Sequence, residues 1–217
     1  APLDKNQSGA LWDDGQQAQR QSRFKWLLDS PGIGLLTGES GVGKTAVLRQ
    51  LTKDLNPHRY QLIYQPETDF GRVDIYRGLA LALGLEPAYR RAQVWRELKT
   101  HIAQLAKSKQ QLPVWIIDEA QNLPTAFFRD FPAFLNYEFD VRNLMTVWFI
   151  GTPSLGQILR RAPYASLYSR IQVKLSLQGV NDSAKYKALI NHALEAVGCN
   201  QTLLSDSGFE LLRQASQ

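Results

Sequence analysis

The chemistry of this chain is written most plainly in Gly38-Glu39-Ser40-Gly41-Val42-Gly43-Lys44-Thr45. The run fits G-x-x-x-x-G-K-[ST], the phosphate-binding pattern known as Walker A. Glycines let the backbone turn tightly and present its N–H groups to phosphate oxygens. A helix that starts here aims its positive dipole end at the same oxygens. In that geometry Lys44 reaches the β- and γ-phosphates of a nucleotide and the Thr45 hydroxyl ligates Mg2+. The binding stretch runs from Gly38 through Ala46, with Glu39, Ser40 and Val42 inside it.

A second stretch supplies carboxylates. Pro113-Val114-Trp115-Ile116-Ile117 is apolar and ends in Asp118-Glu119. This is the Walker B pattern, a buried strand delivering acids to the carboxyl edge of a sheet, where ligands of open α/β sheets bind. Asp118 is expected to hold Mg2+ through water or Thr45. Glu119 is expected to polarise the attacking water as a general base. Another apolar run, Met145 to Ile150, ends at Gly151-Thr152-Pro153. Thr152 is the candidate to sense the γ-phosphate, although the same residues also read as a plain Thr-Pro turn.

These side chains need strands and helices in alternation to bring them together. Gln16 to Leu28 reads as a helix, with Phe24, Leu27 and Leu28 on its apolar side. Gly34 to Thr37 is a short buried strand, and Ala46 to Leu55 a helix with Val47, Leu48, Leu51 and Leu55 at helical spacing. Tyr60 to Tyr64 follows as a strand, then helices over Val73–Leu85 and Arg91–Lys109. A helix from Pro124 to about Phe139 carries Phe127, Phe128, Phe131, Phe134 and Leu135, a stripe that reads as core. Leu155 to Arg161 is a short helix, Gln172 to Leu177 a last strand, and helices follow over Asn181–Val197 and from Phe209. The expected fold is α/β, a parallel sheet with helices on both faces. Residues 1–30 are read as an arm and linker helix, 31–178 as the nucleotide-binding core and 179–217 as the start of a helical lid cut short. Leu11 and Trp12 are a possible anchor within the arm.

Composition sets the bounds. The chain has 217 residues, 44% hydrophobic, with 25 basic against 20 acidic side chains. That is ordinary for a globular protein and mildly basic, which permits a nucleic-acid or acidic-membrane partner without requiring one. No run of apolar residues is long enough to span a bilayer. The start, Ala1-Pro2-Leu3-Asp4, reads as neither a signal sequence nor an initiator, and suggests a fragment. A single cysteine, Cys199, excludes an internal disulfide and fits a reducing cytoplasm. His58, His101 and His192 lack ligand-like spacing, so no metal beyond Mg2+ is expected.

With these motifs placed, the chain resembles the AAA+ ATPases, a division of the P-loop NTPases. Within them it is similar to the bacterial group typified by the secretion ATPase ExeA and the transposition ATPases TniB, TnsC and MuB. The residues that carry the likeness are Leu35 to Thr45, then Ile116-Ile117-Asp118-Glu119-Ala120-Gln121-Asn122-Leu123, then Phe149-Ile150-Gly151-Thr152-Pro153-Ser154-Leu155. The resemblance implies bound ATP and Mg2+, and a nucleotide site shared between copies in a ring or filament. Arg170 matches the arginine-finger position best, with Arg160 and Arg161 as reserves. A guanidinium supplied in trans makes hydrolysis depend on assembly. One departure is that the Gly-x-Pro-Arg-like arginine motif of the family's lid does not occur before Gln217.

The partner is less sharply written. Between residues 90 and 109, Arg90, Arg91, Arg96 and Lys99 lead a basic stretch that could track duplex DNA through its phosphates. A solvated helix face explains it equally well. The first reading is an ATP-dependent regulator of transposition that assembles on DNA, recruits or activates a transposase, and disassembles on hydrolysis. The alternative is an ExeA-like ATPase for secretion-machinery assembly. A small-molecule P-loop kinase is disfavoured because kinases need no water-activating base such as Glu119. A non-hydrolysing nucleotide-binding scaffold is disfavoured by the intact Lys44, Asp118 and Glu119.

Overall fold

The computed structural model describes residues 15–66, 68, 71–136, 143–180, 182–196, 199 and 204–215. The possible anchor at Leu11 and Trp12 lies outside the described residues. The apolar runs become the strands β1 (Ile33–Gly38), β2 (Tyr60–Gln65), β3 (Leu112–Ile117), β4 (Thr146–Gly151) and β5 (Ile171–Leu177). They form one parallel sheet in the order β2-β3-β4-β1-β5. Parallel neighbours need crossovers, and helices supply them. α1 (Gln17–Asp29) precedes the sheet and α2 (Lys44–Thr52) follows β1. α3 (Arg72–Ala82) and α4 (Arg91–Gln104) link β2 to β3, and α5 (Thr125–Leu135) links β3 to β4. α6 (Pro153–Leu159) and α7 (Ala165–Tyr168) lead into β5.

Burial follows position in the sheet. β4, in the middle, is buried at every residue, as a strand covered on both faces must be. β5, at the edge, alternates buried and exposed positions, the period-two pattern of a strand with one wet face. On one face the odd-numbered side chains Trp115, Val147 and Phe149 join α3, α4 and α5 in a single apolar cluster. Its rings touch directly, with centroids 4.9 Å apart for Tyr76–Phe134, 5.0 Å for Phe127–Phe131 and 5.3 Å for Phe131–Phe149. Each such fully buried ring contributes about 1.5–3 kcal/mol by area alone. On the other face Phe24 of α1 stacks on Trp148 with centroids 5.4 Å apart. Trp148 is accommodated because its neighbour in register is Gly34, where a Cβ would fall 2.4 Å from the indole.

Several boundaries differ from the sequence reading, the ends of α3 at Ala82 and α6 at Leu159 among them. α2 begins at Lys44, not Ala46, because Gly43 at φ 92° serves as its N-cap and the glycine loop runs straight into the first turn. The helix expected over Arg91–Lys109 is α-helical to Gln104, and Leu105–Lys109 then widens into a π turn. That turn keeps Leu105 buried while Gln110, at φ 50°, redirects the chain toward β3. α5 ends at Leu135, with Asn136 already extended, and the rest of the expected helix lies outside the described residues.

The fold divides into a compact unit from Gln19 to Leu177 and a second unit that holds the C-terminal helices. In the second unit, α8 (Ser183–Ala196) is preceded by Asp182, whose carboxylate accepts the Lys185 N–H at 2.9 Å, a helix N-cap. The Lys187 ammonium of α8 lies 5.5 Å from the Phe209 ring centre on α9 (Asp206–Ala215). Among the described residues, no helix is long and apolar enough to cross a membrane.

Candidate functional site

The glycine loop joins the end of β1 to the start of α2. Gly41 and Gly43 have φ 78° and 92°, a region that side chains disfavour, and a Cβ on either would meet nothing within 4 Å. The space beside Gly41 and Gly43 is therefore open. Lys44 is buried, and its ammonium donates to Gly38 O at 2.9 Å and Glu39 O at 3.0 Å. Thr45, one residue into the helix, is exposed.

Sheet order brings the acids alongside. β4 lies between β1 and β3, so the end of β4 stands between the glycine loop and the Asp118-Glu119 pair. Asp118 extends β3 by one rung, its N–H donating to Gln65 O at 2.9 Å. Its carboxylate is buried and held on both sides. Oδ1 accepts the Glu119 N–H at 2.9 Å and Oδ2 accepts the Tyr64 hydroxyl at 2.7 Å. Burial first, then this bond to Asp118, pushes the Tyr64 phenol up to about 12, so it stays a donor at neutral pH.

Glu119 adopts φ 47°, a left-handed conformation that costs a non-glycine residue about 1 kcal/mol or more. The strain is held by Thr68, whose hydroxyl donates to Glu119 O at 2.9 Å. The conformation turns the Glu119 side chain out of the strand and into solvent. Gln121 Nε2 donates to Glu119 Oε2 at 2.5 Å, and Gln121 Oε1 accepts the Thr152 N–H at 3.2 Å. The Thr152 hydroxyl pairs with Ser154 Oγ at 2.7 Å at the start of α6.

These residues fit a nucleoside triphosphate with Mg2+. The open space beside the loop glycines and the buried ammonium suit phosphates, and among the described residues no group of three or more acidic, His or Cys side chains forms a metal cage. A metal here would take its ligands from Thr45, Asp118, water and the phosphates themselves, as Mg2+ prefers.

Arg170 stands elsewhere. It immediately precedes β5, at the amino end of the sheet, whereas Gly38 pairs with Leu177 at the carboxyl end of the same strand. The strand puts roughly 20 Å between the two ends. Arg170 Nη1 donates to Ser166 O at 3.0 Å and Ser166 Oγ at 2.7 Å, beside a cavity of about 280 Å³ that Ile33, Leu135 and Gln172 help to line. Arg90, just before α4, and Arg96 on it are exposed. Arg91 pairs with Asp130 and lies 5.1 Å from the Trp95 ring centre, and Lys99 donates to Ala133 O at 3.0 Å and Asn136 O at 2.8 Å, capping α5. Both thus have intramolecular work that charge alone does not reveal.

Three residues of the site were not singled out from sequence: Tyr64, Thr68 and Gln121. Tyr64 sits at the carboxyl end of β2, beside the end of β3, and the rule that ligands gather at that edge would have pointed to it. Gln121 lies within the Asp-Glu-Ala-Gln-Asn-Leu run already noted, but nothing in its type declared its direction.

Comparison with known proteins bears on the family and the fold. A family model described as AAA domain matches residues 28–159. General secretion pathway protein A of Aeromonas hydrophila is 28% identical over 193 residues, covering 88% of this chain and 35% of that protein. The chain thus spans about a third of the length of that relative. Among solved structures, Cdc6p from Pyrobaculum aerophilum has a TM-score of 0.65 at 17% identity, over 92% of this chain and 53% of that one. The Aeropyrum pernix ORC2 protein in its ADP form also scores 0.65, at 14% identity, over 98% of this chain and 60% of that one. At such identities the two structures speak for the fold alone.

Proposed function

Because this chain belongs to the AAA domain family, matched over more than half its length, we propose that it is an ATPase that hydrolyses ATP at the carboxyl edge of its sheet. The observation that carries the reading is the sheet order, which sets the end of β4 between the Gly38–Thr45 loop and the Asp118-Glu119 pair. Bound ATP with Mg2+ would supply a phosphoryl group open to in-line attack, with its charge partly neutralised by the metal. Lys44 leaves the carbonyls of Gly38 and Glu39 for phosphate oxygens. Thr45 and Asp118 offer oxygen to the metal. Glu119, turned out of the strand, accepts a proton from water as the water oxygen attacks the γ-phosphorus, and the bond from that phosphorus to the bridging oxygen breaks to release ADP and phosphate.

Arg170 acts on a neighbouring copy. Its position at the far end of β5 supports this, since a side chain roughly 20 Å from its own phosphate loop cannot reach that loop. The guanidinium would leave Ser166 for the neighbour's γ-phosphate, which makes turnover depend on homo-oligomer formation.

For the process served, the likeness to General secretion pathway protein A weighs toward assembly or operation of secretion machinery. Regulation of transposition, with duplex DNA and a transposase as partners, has less behind it. Of the cations offered for DNA, Arg91 and Lys99 are already engaged within the fold. Electron microscopy with a slowly hydrolysed ATP analogue, with and without duplex DNA, tests the choice. Assembly indifferent to DNA supports the secretion reading, and rings or filaments that form only on DNA overturn it in favour of transposition.

A further inference from the structure

Gln121 occupies a 3-10 turn, Ala120–Asn122, between the ends of two strands that carry the chemistry. Its amide spans them. Nε2 donates to the Glu119 carboxylate at 2.5 Å while Oε1 accepts the Thr152 N–H at 3.2 Å. The direction of the amide is forced. A carboxylate takes only a donor and a backbone N–H only an acceptor, so the flipped amide would lose both bonds. The space it lies in is kept clear by Gly151, where a Cβ would fall 2.4 Å from Gln121 Oε1.

Glu119 needs such a tether. Its backbone is fixed by Thr68 and by the N–H bond to Asp118, but its carboxylate is exposed on rotatable bonds. Among the described residues, Gln121 is the group that fixes where that carboxylate points. Resting on the hydrolytic reading above, we propose that Gln121 is a positioning residue that aims the Glu119 carboxylate by tying it to the backbone of Thr152. A shift at the end of β4 then passes through one rigid amide to the group that polarises water. Phosphate affinity is untouched, because neither bond involves the glycine loop or Lys44.

The test compares two variants of the whole chain. Gln121→Met removes both bonds at similar size. Gln121→Glu keeps an acceptor for Thr152 but sets a carboxylate against Glu119. Mg-ATP affinity is measured by calorimetry and hydrolysis by steady-state phosphate release, with thermal melting to check folding. Both variants should bind Mg-ATP within about twofold of wild type, while kcat falls about ten- to a hundredfold, the usual effect of misplacing a reacting group by an ångström. KM should stay put. A Gln121→Met chain with kcat within twofold of wild type overturns the proposal, as does a fall in kcat matched by an equal loss of ATP affinity. A wild-type chain that binds Mg-ATP and does not hydrolyse it overturns the hydrolytic reading itself, a different result from a wild type that hydrolyses alongside an unaffected variant.

Discussion

The Tyr64 hydroxyl donates to Asp118 Oδ2 at 2.7 Å, so an aromatic side chain on β2 and the acid at the end of β3 proposed to ligate Mg2+ are already joined. A metal that takes Asp118 Oδ2 must share that oxygen with Tyr64. Tyr64→Phe should therefore tighten Mg2+ binding in the presence of ATP by a few-fold, about 1 kcal/mol for a partly exposed bond to a charged group. Titration of Mg2+ against ATPase rate reads the change, and a half-saturation point that rises or stays level counts against the shared-oxygen picture.

The same bond carries a pH signature. The fold raises the Tyr64 phenol from its ordinary 10.0 to about 12, first through burial and then through Asp118. The protonated phenol is the form the fold favours. Its contribution is complete below pH 10 and is lost as pH rises through about 12. The gap in unfolding free energy between wild type and Tyr64→Phe should thus be constant at neutral pH and change only above pH 10, as followed by urea denaturation.

Lys44→Ala should abolish productive nucleotide binding. The buried ammonium makes two short bonds to loop carbonyls, and in the loaded site it would make equivalent bonds to phosphate. Charge-assisted bonds contribute about 1.5–3 kcal/mol each, so affinity should fall by about a hundredfold or more. Calorimetry with Mg-ATP checks it, and affinity within tenfold of wild type would remove Lys44 from the phosphate site.

Glu119→Gln should hold ATP and fail to turn it over. The loss expected from a missing general base is about 10²–10⁴ in kcat. Single-turnover phosphate release is the measurement, and near-normal release would assign the base elsewhere.

Arg170→Ala should leave ATP affinity within about twofold, because the residue is far from its own loop, yet cut hydrolysis by the assembled protein by about 10³ or more. Mixing it with Lys44→Ala chains sharpens the test. An Arg170→Ala subunit has an intact loop and a Lys44→Ala subunit an intact finger, so mixed assemblies should regain activity that neither variant has alone.

The site was legible in the sequence where the chemistry is local. Gly38 to Thr45 runs from the end of β1 through the loop into α2, and the phosphate-binding role proposed for it depends on residues adjacent in the chain. Asp118-Glu119 announced itself because a buried strand must be apolar until it stops. Tyr64, Thr68 and Gln121 act across strands, and their roles appear only when β2, β3 and β4 are set in register. Arg91 and Lys99 show the converse. Their charge was plain, but their partners Asp130 and the end of α5 are brought to them by the fold. The α/β alternation was legible throughout. The π turn after Gln104 was not, because the apolar spacing of α4 continues unbroken into Leu105.

Strand β1 pairs with β4 and β5, the two described strands that lie farthest from it in the sequence. On the ribosome, then, the glycine loop is finished early but has no sheet to stand in. Ile33 to Leu36 is therefore expected to stay an unpaired apolar segment until Gly151 has emerged, which makes this stretch an expected site of chaperone contact during synthesis.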